Sequence, residues 1–320
     1  MTNMGLGFIF PGQGSQSIGM LHALSETEPL VEQTFAEASQ VLGYDLWDLC
    51  RHGPESRLNE TEQTQPAMLS AGVAVWRVWG AHGGTLPVIA AGHSLGEYSA
   101  LVASGVLEFK TAVALVQRRG RLMQQAVPAG EGAIAAILGL GDDQVERVCR
   151  DISVSLAPLL VAAVNYNAPG QVVIAGHKTA VDAALVALRE AGARRAVALP
   201  MSVPVHCELM RPATVELSRH LQQAHFAPGN FPVLQNADLS IHDNAAAIAA
   251  ALAAQLYTPV RWGNTIRHLQ RSDPGCVLVE CGPGKVLAGL CKRIDRSIAC
   301  YPVHDAQSLE AALETTRMSL

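Results

Sequence analysis

The chain is short of aromatic residues, at 5% of its 320, and short of charge, at 16%, while 49% of it is apolar. So little charge beside so much apolar material excludes a disordered chain. There is no surplus of positive charge either, and a formal net charge of −5 argues against a general nucleic-acid binder. The seven cysteines are an odd set without a C-x-x-C pair, which reads as buried free thiols and not as a metal site or disulfide framework. Long hydrophobic runs are missing as well. The longest run of small apolar residues, Ala245 to Ala254, is too short to span a bilayer, and Met1-Thr2-Asn3 opens no basic-then-apolar leader pattern. The expectation is a soluble, cytoplasmic, globular protein with no internal repeat, no bound cofactor and no metal.

What is present centres on Gly92-His93-Ser94-Leu95-Gly96. Pro87 to Ala91 reads as a short buried strand and Leu95 to Ser104 as a helix closed by Gly105, so Ser94 falls at a strand-to-helix turn. A G-x-S-x-G turn is sharp enough to strain the serine and to lift its hydroxyl clear of the sheet. The free N–H groups of the following helix would stabilise an oxyanion there. A first strand, Leu6 to Phe10, leads into Pro11-Gly12-Gln13-Gly14-Ser15-Gln16. That loop is not a dinucleotide fingerprint, because Ser17 stands where the last glycine belongs. A loop at the carboxyl end of a strand is where open α/β sheets place ligands, so Gln13 is expected to face the same crevice as Ser94.

Helical periodicity covers Glu26 to Leu42; Pro66, with Thr64 as its cap, opens another helix through Trp79; a third spans Glu108 to Val127. On the third, Arg119 falls inside the apolar arc between Val116 and Met123. A buried guanidinium needs an anion, and the residues alone favour a structural carboxylate over a carboxylated substrate. Beyond Gly130 the rhythm becomes strand, helix, strand, strand, helix, strand: Ala133 to Leu138, Asp142 to Asp151, Leu159 to Asn165, Gln171 to Ala175, Thr179 to Ala191 and Arg195 to Leu199. This is the order of a ferredoxin-like unit, with Asn167-Ala168-Pro169-Gly170 as its central turn. Gly176-His177-Lys178-Thr179 is off the spacing of a phosphate loop and reads as a helix start capped by Thr179.

Ser202-Val203-Pro204-Val205-His206-Cys207 returns the chain to the main body, and a helix from Glu208 to Ala224 is broken near Pro212. His206 thus sits on a loop at a strand's carboxyl end, where a serine's general base belongs, although most loop histidines are merely solvated. His93 neighbours Ser94 but should point away from it. The last third is α/β again: strand Pro232 to Asn236, helices Asn244 to Leu256 and Arg261 to Arg271, strand Cys276 to Glu280, turn Gly282-Pro283-Gly284, helix Val286 to Arg293 and a strand near Ile298 to Val303. Residues 1–131 and 204–320 therefore read as one large parallel-sheet domain into which 132–203 is inserted.

The motifs from Phe10 to Gln16, Gly92 to Ser99, Gln117 to Gly120, Asn165 to Gln171, Ser202 to His206 and Gly282 to Gly284, in this order, make the chain similar to the malonyl-CoA:acyl carrier protein transacylases of type II fatty acid synthesis. The resemblance implies an α/β-hydrolase-like core with the ferredoxin-like insertion. It also implies malonyl-CoA and acyl carrier protein as partners, the CoA thioester being substrate, in a monomer that binds neither nucleic acid nor membrane. Ser94 would be the nucleophile and His206 its base, oriented by the backbone carbonyl of Gln255, with the Gln13 and Leu95 amides as oxyanion hole. Arg119 would pair with the malonyl carboxylate, reversing the structural preference above. His93, Asn165 and Val205 would line the acyl site, Val205 standing where serine or phenylalanine is more usual. An acidic carrier protein would dock on basic residues such as Lys178, Lys285, Lys292 and Arg293.

Related readings differ in the acceptor: the malonyltransferase subunit of malonate decarboxylase, or a freestanding polyketide acyltransferase. A serine hydrolase also carries G-x-S-x-G, but it has no need of Arg119 and normally places an acid between serine and histidine along the chain. A non-catalytic carrier-binding module would not need Ser94 at all.

Overall fold

The strand Leu6–Phe10 (β1) is buried at all five positions, because it lies in the middle of a parallel sheet covered on both faces. Its even residues Phe8 and Phe10 enter one core and Ile9 the other, as the two-residue period of a strand requires. Phe8 meets Trp76 and Trp79 edge-on, each with its ring centre 5.3 Å away. The computed structural model describes residues 5–201 and 203–319, so Met1 to Asn3 and Ser202 lie outside the described residues. β2 (Ile89–Gly92), β7 (Val233–Leu234), β8 (Val277–Cys281) and β9 (Cys300–Val303) complete the sheet in the order β7-β2-β1-β8-β9. Phe10 is level with Gly92 in this register, so the loops that follow the two strands leave the sheet side by side.

The inserted segment forms its own antiparallel sheet from β3 (Gly132–Leu138), β4 (Val161–Ala168), β5 (Gln171–His177) and β6 (Arg195–Ala198), in the order β4-β5-β3-β6. With helices Asp142–Ser155 and Lys178–Glu190 this is the expected ferredoxin-like arrangement. Ala135, Ile137, Val172 and Ile174 pack against those helices, while Ile134, Val173 and Ala175 point the other way, into the main core. The chain is thus the expected α/β protein, a parallel-sheet core carrying a ferredoxin-like insertion. All seven cysteines are free and buried, again as expected. Among the described residues no helix is long and apolar enough to cross a membrane.

Several boundaries differ from the sequence reading. The helix placed from Pro66 begins at Thr61 and runs to Ala81, with Pro66 inside it. Proline removes one N–H from a 21-residue helix, and the turn ahead of it is held by the Gln63 and Thr64 amides on the Glu60 carbonyl and by the Thr64 hydroxyl on the Leu58 carbonyl. The helix after β5 starts one residue before Thr179 without a side-chain cap; the Lys178 amide donates instead to the Glu131 carbonyl at 2.7 Å. β4 continues through Ala168, which leaves only Pro169 and Gly170 in the turn, Gly170 having a φ of 69°. Pro29 delays the second helix to Leu30. Short helices at Leu46–His52 and Glu55–Leu58 and a last helix at Ala306–Ser319 are additions to the reading. The break near Pro212 is a single 3-10 turn, Glu208–Met210, ahead of helix Arg211–Gln223.

Candidate active site

β1, β2, β7 and β8 all end on one edge of the sheet, and the loops after β1 and β2 line a cavity of about 300 Å³. Gln13 follows β1, Ser94 follows β2, Gln235 and Asn236 follow β7, and the turn Gly282-Pro283-Gly284 follows β8. Ser94 has a φ of 51°, in the left-handed region that a residue with a side chain avoids. Only glycines fit beside it. A Cβ on Gly92 would sit 1.9 Å from the Gly96 carbonyl carbon, and one on Gly96 would sit 2.0 Å from the Phe10 oxygen. Asn236 straps the turn from outside: its Oδ1 accepts from the Ser94 amide and its Nδ2 donates to the Gly92 carbonyl, both at 2.8 Å.

His206 is the second strained residue, with φ of 60° and 2% exposure. Its Nδ1–H donates to the Gln255 carbonyl at 2.8 Å, which leaves Nε2 to accept the Ser94 hydroxyl at 2.7 Å. Among the described residues no acid completes a triad. Burial, and next the nearby Arg119 cation, push the imidazole down to about 3, so it is neutral with its Nε2 lone pair free, and a weak base while that cation is unopposed. Arg119 is 1% exposed, and among the described residues no carboxylate is hydrogen-bonded to it. One guanidinium nitrogen donates to Gln65 Oε1 at 2.9 Å; the other donates to Gln255 Oε1 at 2.9 Å and to Ser94 Oγ at 3.3 Å. The preference for a structural carboxylate as its partner is therefore corrected, since two neutral amide oxygens hold it in place. Its Nε has no partner among the described residues.

The other expected residues line the same cavity. Among the described residues the backbone amides of Gln13 and Leu95 carry no hydrogen bond, as donors awaiting an oxyanion must. His93 turns from Ser94 toward the insertion, where its Nε2–H donates to Asn167 Oδ1 at 2.8 Å, and burial lowers its pKa. Asn165 Oδ1 is buried and unpartnered at the cavity wall, and Val205 lies beside His206. Ile134, Ala136, Val173 and Leu199 close the opposite side with apolar surface. Of the basic residues, Lys178 is already paired with Asp182 at 2.5 Å and Arg293 donates to Gln171; Lys285 precedes and Lys292 lies in the last turn of helix Val286–Ile294, whose Val286, Leu287 and Leu290 line the cavity. Glu280 accepts the first amides of that helix, from Leu287 and Ala288, and burial pushes its carboxyl up to about 7.

Gln65, Glu97, Gln235 and Asn236 went unread in the sequence. The signal for Glu97 was the one that exposed Arg119, a charge among apolar neighbours on a helix, and for the last pair it was two amides at the carboxyl end of a parallel strand.

A strained serine, a neutral buried histidine and free amides at a strand-to-helix turn make this an acyl-transferring α/β protein of the serine type. The chain belongs to the family described as acyl transferase domain, whose model matches residues 7–310. Within that family it is similar to the malonyl CoA-acyl carrier protein transacylases. The Salmonella typhimurium protein of that name is 50% identical over 306 residues, covering 96% of this chain and 98% of its own. Among solved structures, a malonyl-transacylase in complex with its type II PKS acyl-carrier protein superposes with a TM-score of 0.94 at 51% identity, covering 97% of this chain and 99% of that one. The malonyl CoA-acyl carrier protein transacylase of Coxiella burnetii gives 0.94 at 45% identity, with 98% of each chain covered.

Proposed function

We propose that this protein moves a malonyl group from CoA to the phosphopantetheine thiol of an acyl carrier protein, supplying fatty acid synthesis. The observation that carries this reading is a single hydroxyl shared by a base and a cation: Ser94 Oγ lies 2.7 Å from His206 Nε2 and 3.3 Å from the Arg119 guanidinium. A hydrolase of simple esters has no use for that cation, whereas an acyl group ending in a carboxylate needs it.

Ser94 Oγ attacks the thioester carbonyl as its proton passes to His206 Nε2, and the Gln13 and Leu95 amides hold the oxyanion. The carbon–sulfur bond breaks, the proton goes to the CoA sulfur, and an O-malonyl serine remains. The carrier thiol then gives its proton to His206 as its sulfur attacks the acyl carbon; the ester carbon–oxygen bond breaks, and His206 returns the proton to Ser94 Oγ. The malonyl carboxylate, paired with Arg119, neutralises the charge that depresses His206, so the intended substrate strengthens the base that acts on it. His93, Asn165 and Val205 line the acyl and pantetheine path, and Val205 sets how large a substituent the malonyl carbon can carry. Only the CoA thioester is required as group donor, and the reaction belongs to the cytoplasm. Residues 1–131 with 204–320 form the catalytic unit and 132–203 the wall that closes over it. Lys285, next to the cavity-lining Val286, and Arg293, bonded to the cavity-lining Gln171, would dock an acidic carrier together with Lys292 of the same helix. A polyketide carrier as acceptor is the second reading, favoured by the 51%-identical relative solved with one.

The test is the intact mass of the protein after brief exposure to malonyl-CoA. Wild type gains one malonyl group and Ser94→Ala gains none. Free malonate accumulating without an adduct would make the protein a hydrolase.

A further inference from the structure

Glu97 is the second residue of helix Gly96–Ala103 and has no solvent exposure. The mechanism above does not use it. Its Oε1 accepts from Gln235 Nε2 at 2.9 Å, and its Oε2 accepts from the Asn236 amide and from Gln255 Nε2, both at 2.8 Å. The same Gln255 amide nitrogen donates to the Ser94 carbonyl at 3.0 Å. With its nitrogen committed to two acceptors, the side chain of Gln255 has one orientation, and its oxygen points at Arg119. A buried carboxylate and a buried guanidinium therefore stand on either side of one neutral amide.

We propose that Glu97 is a positioning residue for acyl selectivity, the counter-ion of Arg119 placed one amide away so that the guanidinium stays charged yet keeps a free edge for the substrate carboxylate. A direct pair would fill that edge, since carboxylate and guanidinium lock together through two parallel hydrogen bonds. No counter-ion at all would leave a lone cation in the core, which is strongly unfavourable. The interposed Gln255 meets both demands. The unpartnered Nε of Arg119 agrees with a guanidinium that is held but not saturated. Because Glu97 repels the incoming carboxylate while Gln255 aims the arginine toward it, charge and orientation act on malonyl binding with opposite signs.

The inference rests on Arg119 receiving the malonyl carboxylate, and the test separates the two. Glu97→Gln can keep the geometry: the new amide oxygen accepts from Asn236 and Gln255, and, with the Gln235 amide turned over, its nitrogen donates to Gln235 Oε1, which has no partner among the described residues. The measurement is kcat/KM for malonyl-CoA and for acetyl-CoA, each transferred to acyl carrier protein. With the negative charge gone, malonyl-CoA should bind more tightly, its KM falling about tenfold, and its preference over acetyl-CoA should rise. Gln255→Leu keeps the charge and loses the bridge, and should lower that preference. A general packing role would move both substrates together in both variants. If Glu97→Gln leaves the preference unchanged or lowers it while Arg119→Ala abolishes it, the inference is overturned and the arginine's role stands. If Arg119→Ala leaves the preference unchanged, the carboxylate does not bind there and the inference falls with that reading. Should Glu97→Gln fail to fold, an unchanged or raised preference in Gln255→Leu overturns it alone.

Discussion

The two walls of the cavity are built on different terms. On the side of the parallel sheet Ser94, His206, Arg119, Gln255, Glu97 and Asn236 form one hydrogen-bonded network, and the serine and the histidine both have positive φ. On the side of the inserted sheet Ile134, Ala136 and Val173 present apolar surface beside three polar residues: Asn167 accepts from His93, Gln171 accepts from Arg293, and the Asn165 oxygen has no partner among the described residues. Strain and polar satisfaction go together on the first wall because a strained residue persists only where its surroundings over-determine it. The second wall carries no such constraint. The contrast assigns reactivity to one wall and fit to the other, and it can be broken.

The sharpest break concerns His206. The kcat/KM of the acylation step, followed by intact mass, reports the free enzyme's base, which burial and Arg119 hold at about 3. The rate should stay flat from pH 8 down to pH 5, where an imidazole at its ordinary value would be almost fully protonated and the rate about 30-fold lower. A fall through pH 6.5 would mean that His206 is solvated and the wall is not closed. The apparent pKa of kcat should lie higher with malonyl-CoA than with acetyl-CoA, because in the proposed pairing only the malonyl carboxylate neutralises Arg119. Stability has the matching sign: below 6.5 the unfolded chain takes up a proton that the folded chain refuses, so the fold weakens as pH falls from 6.5 toward 3.

Asn165 tests the fit side. Its oxygen is buried without a partner, so Asn165→Ala removes an atom whose desolvation is uncompensated, and the thermal midpoint should hold or rise slightly. If that oxygen meets a donor on the substrate, the KM for malonyl-CoA rises about fivefold while kcat holds, the signature of an interaction made equally in ground and transition states. An unchanged KM would remove Asn165 from the substrate path.

The residues legible in the sequence announced themselves by local misfit. Ser94 sits in a motif whose glycines have a steric reason, and Arg119 is a charge on the wrong face of a helix. Glu97 carries the same misfit on a shorter helix that is buried nearly all round, so no polar face sets off the charge. Gln65 was hidden by the misplaced start at Pro66. The turn Thr61 to Gln65 is helical because helix Phe109–Ala126 passes close to it, so close that a Cβ on Gly120 would lie 2.7 Å from the Glu62 Cα. That contact joins residues nearly sixty positions apart, and no local pattern contains it. His206 had position but no pattern, because its burial comes from elements on three sides. The order of elements in the insertion was legible, since its helices have one apolar face, but its central turn and the start of the helix after β5 were not.

The smallest effect on the rate is the most informative about the second wall. Ile134 is 4% exposed and packs from β3 into the main core while lining the cavity. Ile134→Ala should cost about 2–4 kcal/mol of stability, read from denaturant midpoints, because the site cannot collapse between two sheets. The rate of serine acylation should nevertheless stay within about twofold, since neither the 2.7 Å contact of Ser94 with His206 nor the amides above it depend on that side chain. A large loss of rate at full folding would show that the inserted sheet does more than shape the cavity. It would then press on the strained serine itself, and the division between a reactive wall and a fitting wall would not hold.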